Sequence, residues 1–114
     1  MKLIRSCAHA LRGLSGAFRE ESNLRIHFLA STIVVLLGFY FSIEAWEWCI
    51  LILVSTLVIS LELINSGIEN LVDLVTLEQN LMARKVKDIA AAAVLIAVTA
   101  SLVIGSVIFG KYFL

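Results

Sequence analysis

Four side chains able to do chemistry, Glu62, Asn65, Glu69 and Asp73, recur at separations of three, four and four residues. On an α-helix that spacing confines them to an arc of about 80° and strings them over about 16 Å of axis. Such a row offers two kinds of chemistry at its two ends. Magnesium prefers oxygen ligands and usually takes one or two carboxylates together with substrate phosphates. Glu69, joined by a carboxylate from elsewhere in the chain, is therefore a candidate ligand. Glu62 lies in more apolar sequence, where a poorly hydrated carboxylate is suited to accept a proton from a hydroxyl group. A base below and a metal-bound phosphate above is the layout phosphoryl transfer requires.

Other readings of the row compete. It could form a salt-bridge network with Arg84 and Lys87, or hold helices together within a membrane. It could also conduct protons or divalent ions in a small transporter or ion-conducting subunit. A pathway of that kind needs polar residues on the facing segments, and those offer only Ser31, Thr32, Thr99, Ser101 and Ser106.

Around the row stand further candidates. Lys87 and Asp88 fall opposite it at the start of a later apolar run; a lysine there can neutralise phosphate oxygens as charge develops or serve only as a topology anchor. Glu20, Glu21, Asn23 and Arg25 make a polar knot upstream, and one of its two glutamates could complete a magnesium site. The chain has no Walker A motif, kinase glycine-rich loop, HExxH or GxSxG, so a nucleotide site here is unconventional. With no activated serine or cysteine, a covalent enzyme intermediate is not expected. Cys7 and Cys49 read as small apolar residues rather than a disulfide.

The elements that must position these residues follow from hydropathy. Of 114 residues 61% are hydrophobic and none is proline, more apolar than a soluble domain of this size. The excess forms three runs, 26–43, 46–64 and 89–109, each near the ~20 residues needed to cross a bilayer as a helix. Residues 1–21 differ: Leu3, Ile4, Cys7, Leu11, Leu14 and Phe18 make an apolar stripe, while Arg5, Arg12 and Arg19 recur every seven residues. That is a basic amphipathic helix lying in the membrane surface. The fold class is thus all-α: one surface helix and three transmembrane helices. The second span should continue as helix to about Thr76, with a turn region following and the last helix starting at Lys85.

Nine basic and nine acidic residues leave no net charge, and no nucleic-acid partner is expected. The distribution of charge is more telling. Eight of the nine lysines and arginines precede the first run or separate the second from the third. The positive-inside rule places those segments, and the candidate site with them, in the cytoplasm. Glu44, Trp46, Glu47 and Trp48 then lie at the outer interface. Lys111 stands alone beyond the third run.

The stretch Glu62–Asp73 resembles the E-x-x-N-x-x-x-E-x-x-x-D signature of the prokaryotic diacylglycerol kinase and undecaprenol kinase family. Ala83–Ala90 is similar to that family's A-K-x-x-K-D-x-A segment, with Arg84 in place of the first lysine. Arg12-Gly13-Leu14 and Glu21–His27 match its N-terminal pattern. Ala92 stands where many members have glycine. The resemblance implies a homotrimer in the bacterial cytoplasmic membrane, with active sites shared between neighbouring subunits. It implies an ATP- and Mg2+-dependent kinase acting on undecaprenol or diacylglycerol, and the segments Glu21–His27 and Glu47-Trp48 lean toward undecaprenol. Glu62 would be the general base, Glu21 and Glu69 the metal ligands, and Asn65 and Lys87 phosphate contacts. Asp73 and Asp88 would shape the nucleotide end, with Arg12 and Gly13 meeting the nucleotide from the surface helix.

Overall fold

The computed structural model describes residues 1–114 and consists of four α-helices: α1 (Lys2–Glu20), α2 (Ser22–Phe41), α3 (Ala45–Val75) and α4 (Leu81–Phe113). The last three are long and apolar enough to cross a membrane. Only 13 of 114 residues are buried, so the helices turn most of their leucines, isoleucines and valines outward. Water would penalise that arrangement; hydrocarbon does not. The chain is an all-α membrane protein whose helices lie in a slab of 52 × 41 × 20 Å. α3 packs along α4, α2 leans on α3, and α1 touches both α2 and α3.

The helices outrun the apolar runs. Hydropathy marks only the part of a helix that sits in hydrocarbon, whereas backbone hydrogen bonding continues as long as no residue breaks it. α3 persists to Val75 with the whole carboxylate row on it. α4 begins at Leu81, four residues before the expected start at Lys85, because the Asn80 side chain accepts a hydrogen bond from the Ala83 N–H at 2.8 Å. An asparagine N-cap of that kind satisfies a backbone donor that otherwise lacks a partner.

α1 buries no residue, and its stripe of Leu3, Ile4, Leu11 and Phe18 stays exposed. It joins α2 through the single residue Glu21, whose extended backbone (φ −106°, ψ 108°) makes the corner. The Arg25 guanidinium donates to the carbonyls of Phe18 and Arg19, both at 2.8 Å, and so caps the end of α1. Leu24 fills the inside of the corner and is fully buried.

The opposite turn is tighter. Ser42 takes a left-handed backbone (φ 51°); its N–H bonds the carbonyl of Phe39, and the N–H of Ile43 bonds that of Gly38. This pairing is a Schellman motif, in which glycine is the usual residue. A serine there costs about 1 kcal/mol through its Cβ. Ile43 then turns inward to pack with Leu51, Ile108 and Phe109. Gly38 makes room for Trp48: a Cβ at Gly38 would lie 2.5 Å from the indole ring.

This tryptophan end also holds a polar latch. Glu47 is fully buried. Its Oε1 accepts from the Tyr112 hydroxyl at 2.6 Å and from the Glu44 N–H at 3.0 Å. Its Oε2 lies 2.9 Å from Lys111 Nζ, which sits over the rings of Trp46 and Tyr112. Glu47 and Lys111, expected as a loop acid and an isolated lysine, are partners that tie the start of α3 to the end of α4. Periodicity along one helix cannot reveal a pair 64 residues apart in sequence.

Replacing Gly38 by valine should displace the Trp48 ring and lower stability by about 1–3 kcal/mol, the usual cost of overpacking. The check is tryptophan fluorescence together with thermal unfolding in detergent; an unchanged emission maximum and midpoint would contradict the close packing.

Candidate functional site

The basic end of the molecule gathers the residues singled out by type and spacing. On α3, Glu62, Asn65 and Ser66 are buried, Glu69 is half-buried and Asp73 is exposed. Burial thus fades along the row, as expected for a helix leaving the packed bundle. Asn65 Nδ2 donates to Glu69 Oε1 at 3.3 Å, one turn further on. That bond fixes the Glu69 carboxylate along the helix axis and leaves Asn65 Oδ1 buried without a partner. Orphaned buried acceptors are uncommon in folded chains, and one beside a half-buried carboxylate has room for a donor or a cation.

Glu62 itself is 3% exposed. Across the α2–α3 interface its Oε2 lies 3.8 Å from Nε2 of His27. Glu69 and Glu21 are both near enough for their charges to act on Glu62. The corner between α1 and α2 therefore sets Glu21 beside α3, in a cleft shared with Ser66 and Asn70. No group of three or more histidine, cysteine or acidic side chains converges to hold a metal by itself. Magnesium does not need one, since phosphate oxygens and water usually supply most of its shell. Two carboxylates beside an unpaired amide oxygen fit that demand.

Two clefts open beside this row. The first, about 400 Å³, runs between α1 and α3 and is lined by Arg12, Gly13, Glu20, Glu21, Ser66 and Asn70 among others. The second, about 870 Å³, lies under the α3–α4 loop and is lined by Asp73, Thr76, Asn80, Arg84, Lys87 and Asp88 among others. Lys87 Nζ reaches Asp73 Oδ1 at 2.6 Å and bridges α3 to α4 across it. Asp88 faces Arg84 at 3.9 Å, one turn away on its own helix, and both are well exposed. The two clefts have no lining residue in common. One chain thus brings Glu21, Glu62, Asn65 and Glu69 together. It keeps Arg12 and Gly13 in a different cleft from Asp73, Lys87 and Asp88.

Two features escaped the sequence reading. His27 stood in it only as the last residue of the Glu21–His27 segment, with no role of its own, and its approach to Glu62 depends on how α2 leans on α3. Ser66, 4% exposed, follows Asn65 on the buried side; a serine one residue from a conspicuous asparagine carries no separate signal.

Comparison with known proteins bears on what this geometry serves. The family model described as prokaryotic diacylglycerol kinase matches residues 8–109. The undecaprenol kinase of Bacillus subtilis is 37% identical over 108 residues, covering 95% of this chain and 88% of that protein. The diacylglycerol kinase of Helicobacter pylori is 35% identical over 113 residues, covering 99% and 85%. That of Synechocystis is 38% identical over 105 residues, covering 90% of this chain but 59% of the longer relative. With a match spanning most of its length and relatives of this identity, the chain belongs to the prokaryotic diacylglycerol kinase family of lipid kinases.

Proposed function

We propose that the chain transfers the γ-phosphoryl group of ATP, with Mg2+, to the primary hydroxyl of a membrane lipid at the cytoplasmic face of the bacterial inner membrane. The single observation that carries the reading is the α3 row itself, which begins with buried Glu62 on a membrane-spanning helix and passes through half-buried Glu69 to exposed Asp73 at the charged end of the bundle. A lipid alcohol is held in the bilayer and a nucleotide in water; only a row that crosses the boundary serves both.

In this reading Glu62 accepts the proton of the lipid hydroxyl. Asn65 offers its free Oδ1 and, through its amide bond, holds Glu69 in place. Glu21 and Glu69 are the residues that would hold magnesium, whose charge would offset that of the phosphates. Lys87 contacts phosphate oxygens from α4, with Asp73 holding its ammonium at the cleft; Asp88 shapes the same cleft. Arg12 and Gly13 on α1 meet the nucleotide from the other cleft. A complete site then draws on neighbouring subunits, which the division of these residues between two clefts supports, and the family resemblance implies that the assembly is a homotrimer. Undecaprenol is the favoured acceptor over diacylglycerol because the resemblance of Glu21–His27 and Glu47-Trp48 leans that way; relatives named for either lipid match the chain about equally well. The eight basic residues at the α1 end support a cytoplasmic position for that end through the positive-inside rule.

Purified protein in detergent, given radiolabelled ATP with undecaprenol or a short-chain diacylglycerol in parallel, should label the extracted lipid, and undecaprenol more strongly. Label in neither lipid would overturn the reading. Glu62→Gln should lower turnover by about 10²–10⁴-fold, the range for loss of a general base, while MgATP still binds. Glu69→Gln should raise the magnesium concentration needed for half-maximal activity; an unchanged requirement removes Glu69 from the metal site. A cysteine placed at Ser42 should react with an impermeant thiol reagent from outside intact cells, and labelling only after lysis would reverse the orientation.

A further inference from the structure

The 3.8 Å gap between His27 Nε2 and Glu62 Oε2 is too long for a direct hydrogen bond. It is the separation of two groups that can share a third. An oxygen atom placed about 2.8 Å from each satisfies both at ordinary hydrogen-bond lengths. His27 is the one basic side chain within ion-pair reach of Glu62, and it is mostly buried, with 19% of its side chain exposed. It comes from α2 rather than α3, so the two groups approach the same space from different helices.

We propose that His27 is a catalytic residue that grips the acceptor hydroxyl together with Glu62, an inference that rests on the lipid kinase reading above. A lipid hydroxyl has one proton and two lone pairs. The proton faces Glu62 Oε2. One lone pair accepts a hydrogen bond from the Nε2–H of neutral His27, and the other is left to face phosphorus. As the oxygen bonds to the γ-phosphorus, its O–H proton passes to Glu62. The bond from that phosphorus to the β,γ-bridging oxygen breaks, and ADP leaves with the electron pair. His27 neither gains nor loses a proton; it sets which lone pair attacks. Fixing the nucleophile in this way is an orientational contribution to rate.

A second observation points to the chemistry of the molecule held there. His27 stands at the inner end of a groove of about 360 Å³ between α2, α3 and α4, walled by Val34, Leu37, Val58, Leu102 and Phe109 among others. Ser31, Ser55, Ser101 and Ser106 also line it, but its wall is mostly apolar, so an alcohol whose hydroxyl lies between His27 and Glu62 has room there for a hydrocarbon tail. A water-soluble alcohol has no use for such a wall.

The test compares wild type, His27→Phe and His27→Gln in detergent with saturating lipid and MgATP. His27→Phe removes the N–H donor at similar bulk and should lower kcat by at least roughly 10-fold, with KM for MgATP unchanged. His27→Gln, whose amide N–H reaches the same space, should recover most of the loss. An active wild type with His27→Phe within about two-fold of it, or with glutamine no better than phenylalanine, overturns the role of His27 and leaves the kinase reading standing. A wild type that phosphorylates neither lipid overturns both. A readout on the unaltered protein guards against a variant that does not fold. The chain has two histidines, and adding lipid alcohol without nucleotide should shift the Nε2 resonance of ¹⁵N-labelled His27 and not that of His9. No shift would overturn the contact.

Discussion

Everything at the basic end depends on keeping a carboxylate where water is scarce. Glu62 is buried on a helix whose other faces are apolar, and an ionisable group in such a setting costs several kcal/mol unless something nearby compensates. His27 on α2 stands too far away to hydrogen-bond it directly, while the nearby Glu21 and Glu69 add like charge. A chain selected for stability alone would place leucine here. Glu62 and Glu69 on one face of α3, with Glu21 nearby and an amide oxygen left free, leave negative charge and acceptor capacity unmatched within the chain.

The two ends of the bundle show the contrast. At the tryptophan end Glu47 is also buried, yet its carboxylate is met by a tyrosine hydroxyl, a backbone N–H and a lysine. There the charge is used up within the chain, and the result is a fixed joint between α3 and α4. At the basic end the polar atoms are left with capacity to spare. Satisfied burial makes scaffold; unsatisfied burial makes a site.

Legibility in the sequence divides along the same physical line. Features carried by one helix were readable: the three apolar runs, the stripe on α1, and the shared face of Glu62, Asn65, Glu69 and Asp73, because helical spacing alone determines them. Helix ends were less so, since α4 starts where the Asn80 side chain caps it rather than where charge gives way to apolar residues. Contacts between helices were readable only where a charged row called for a partner, as with Asp73 and Lys87. The Glu47–Tyr112–Lys111 latch and the approach of His27 to Glu62 are set by packing angles and by which residue of one helix meets which of another. Neither leaves a periodic trace. The family resemblance singled out Glu21 over Glu20, a choice that spacing left open, and the corner at Glu21 is what sets a residue so distant in sequence beside α3.

α3 runs without a break from Ala45 to Val75, and this rigidity has a consequence for the membrane around it. The seven-residue interval between Glu62 and Glu69 is a ruler of about 10 Å that no change in lipid can stretch. A thinner bilayer lifts the whole ruler toward water, and a thicker one draws it into the acyl chains, with mismatch relieved by tilt. Acyl-chain length therefore acts on hydration of the row while its internal spacing stays constant.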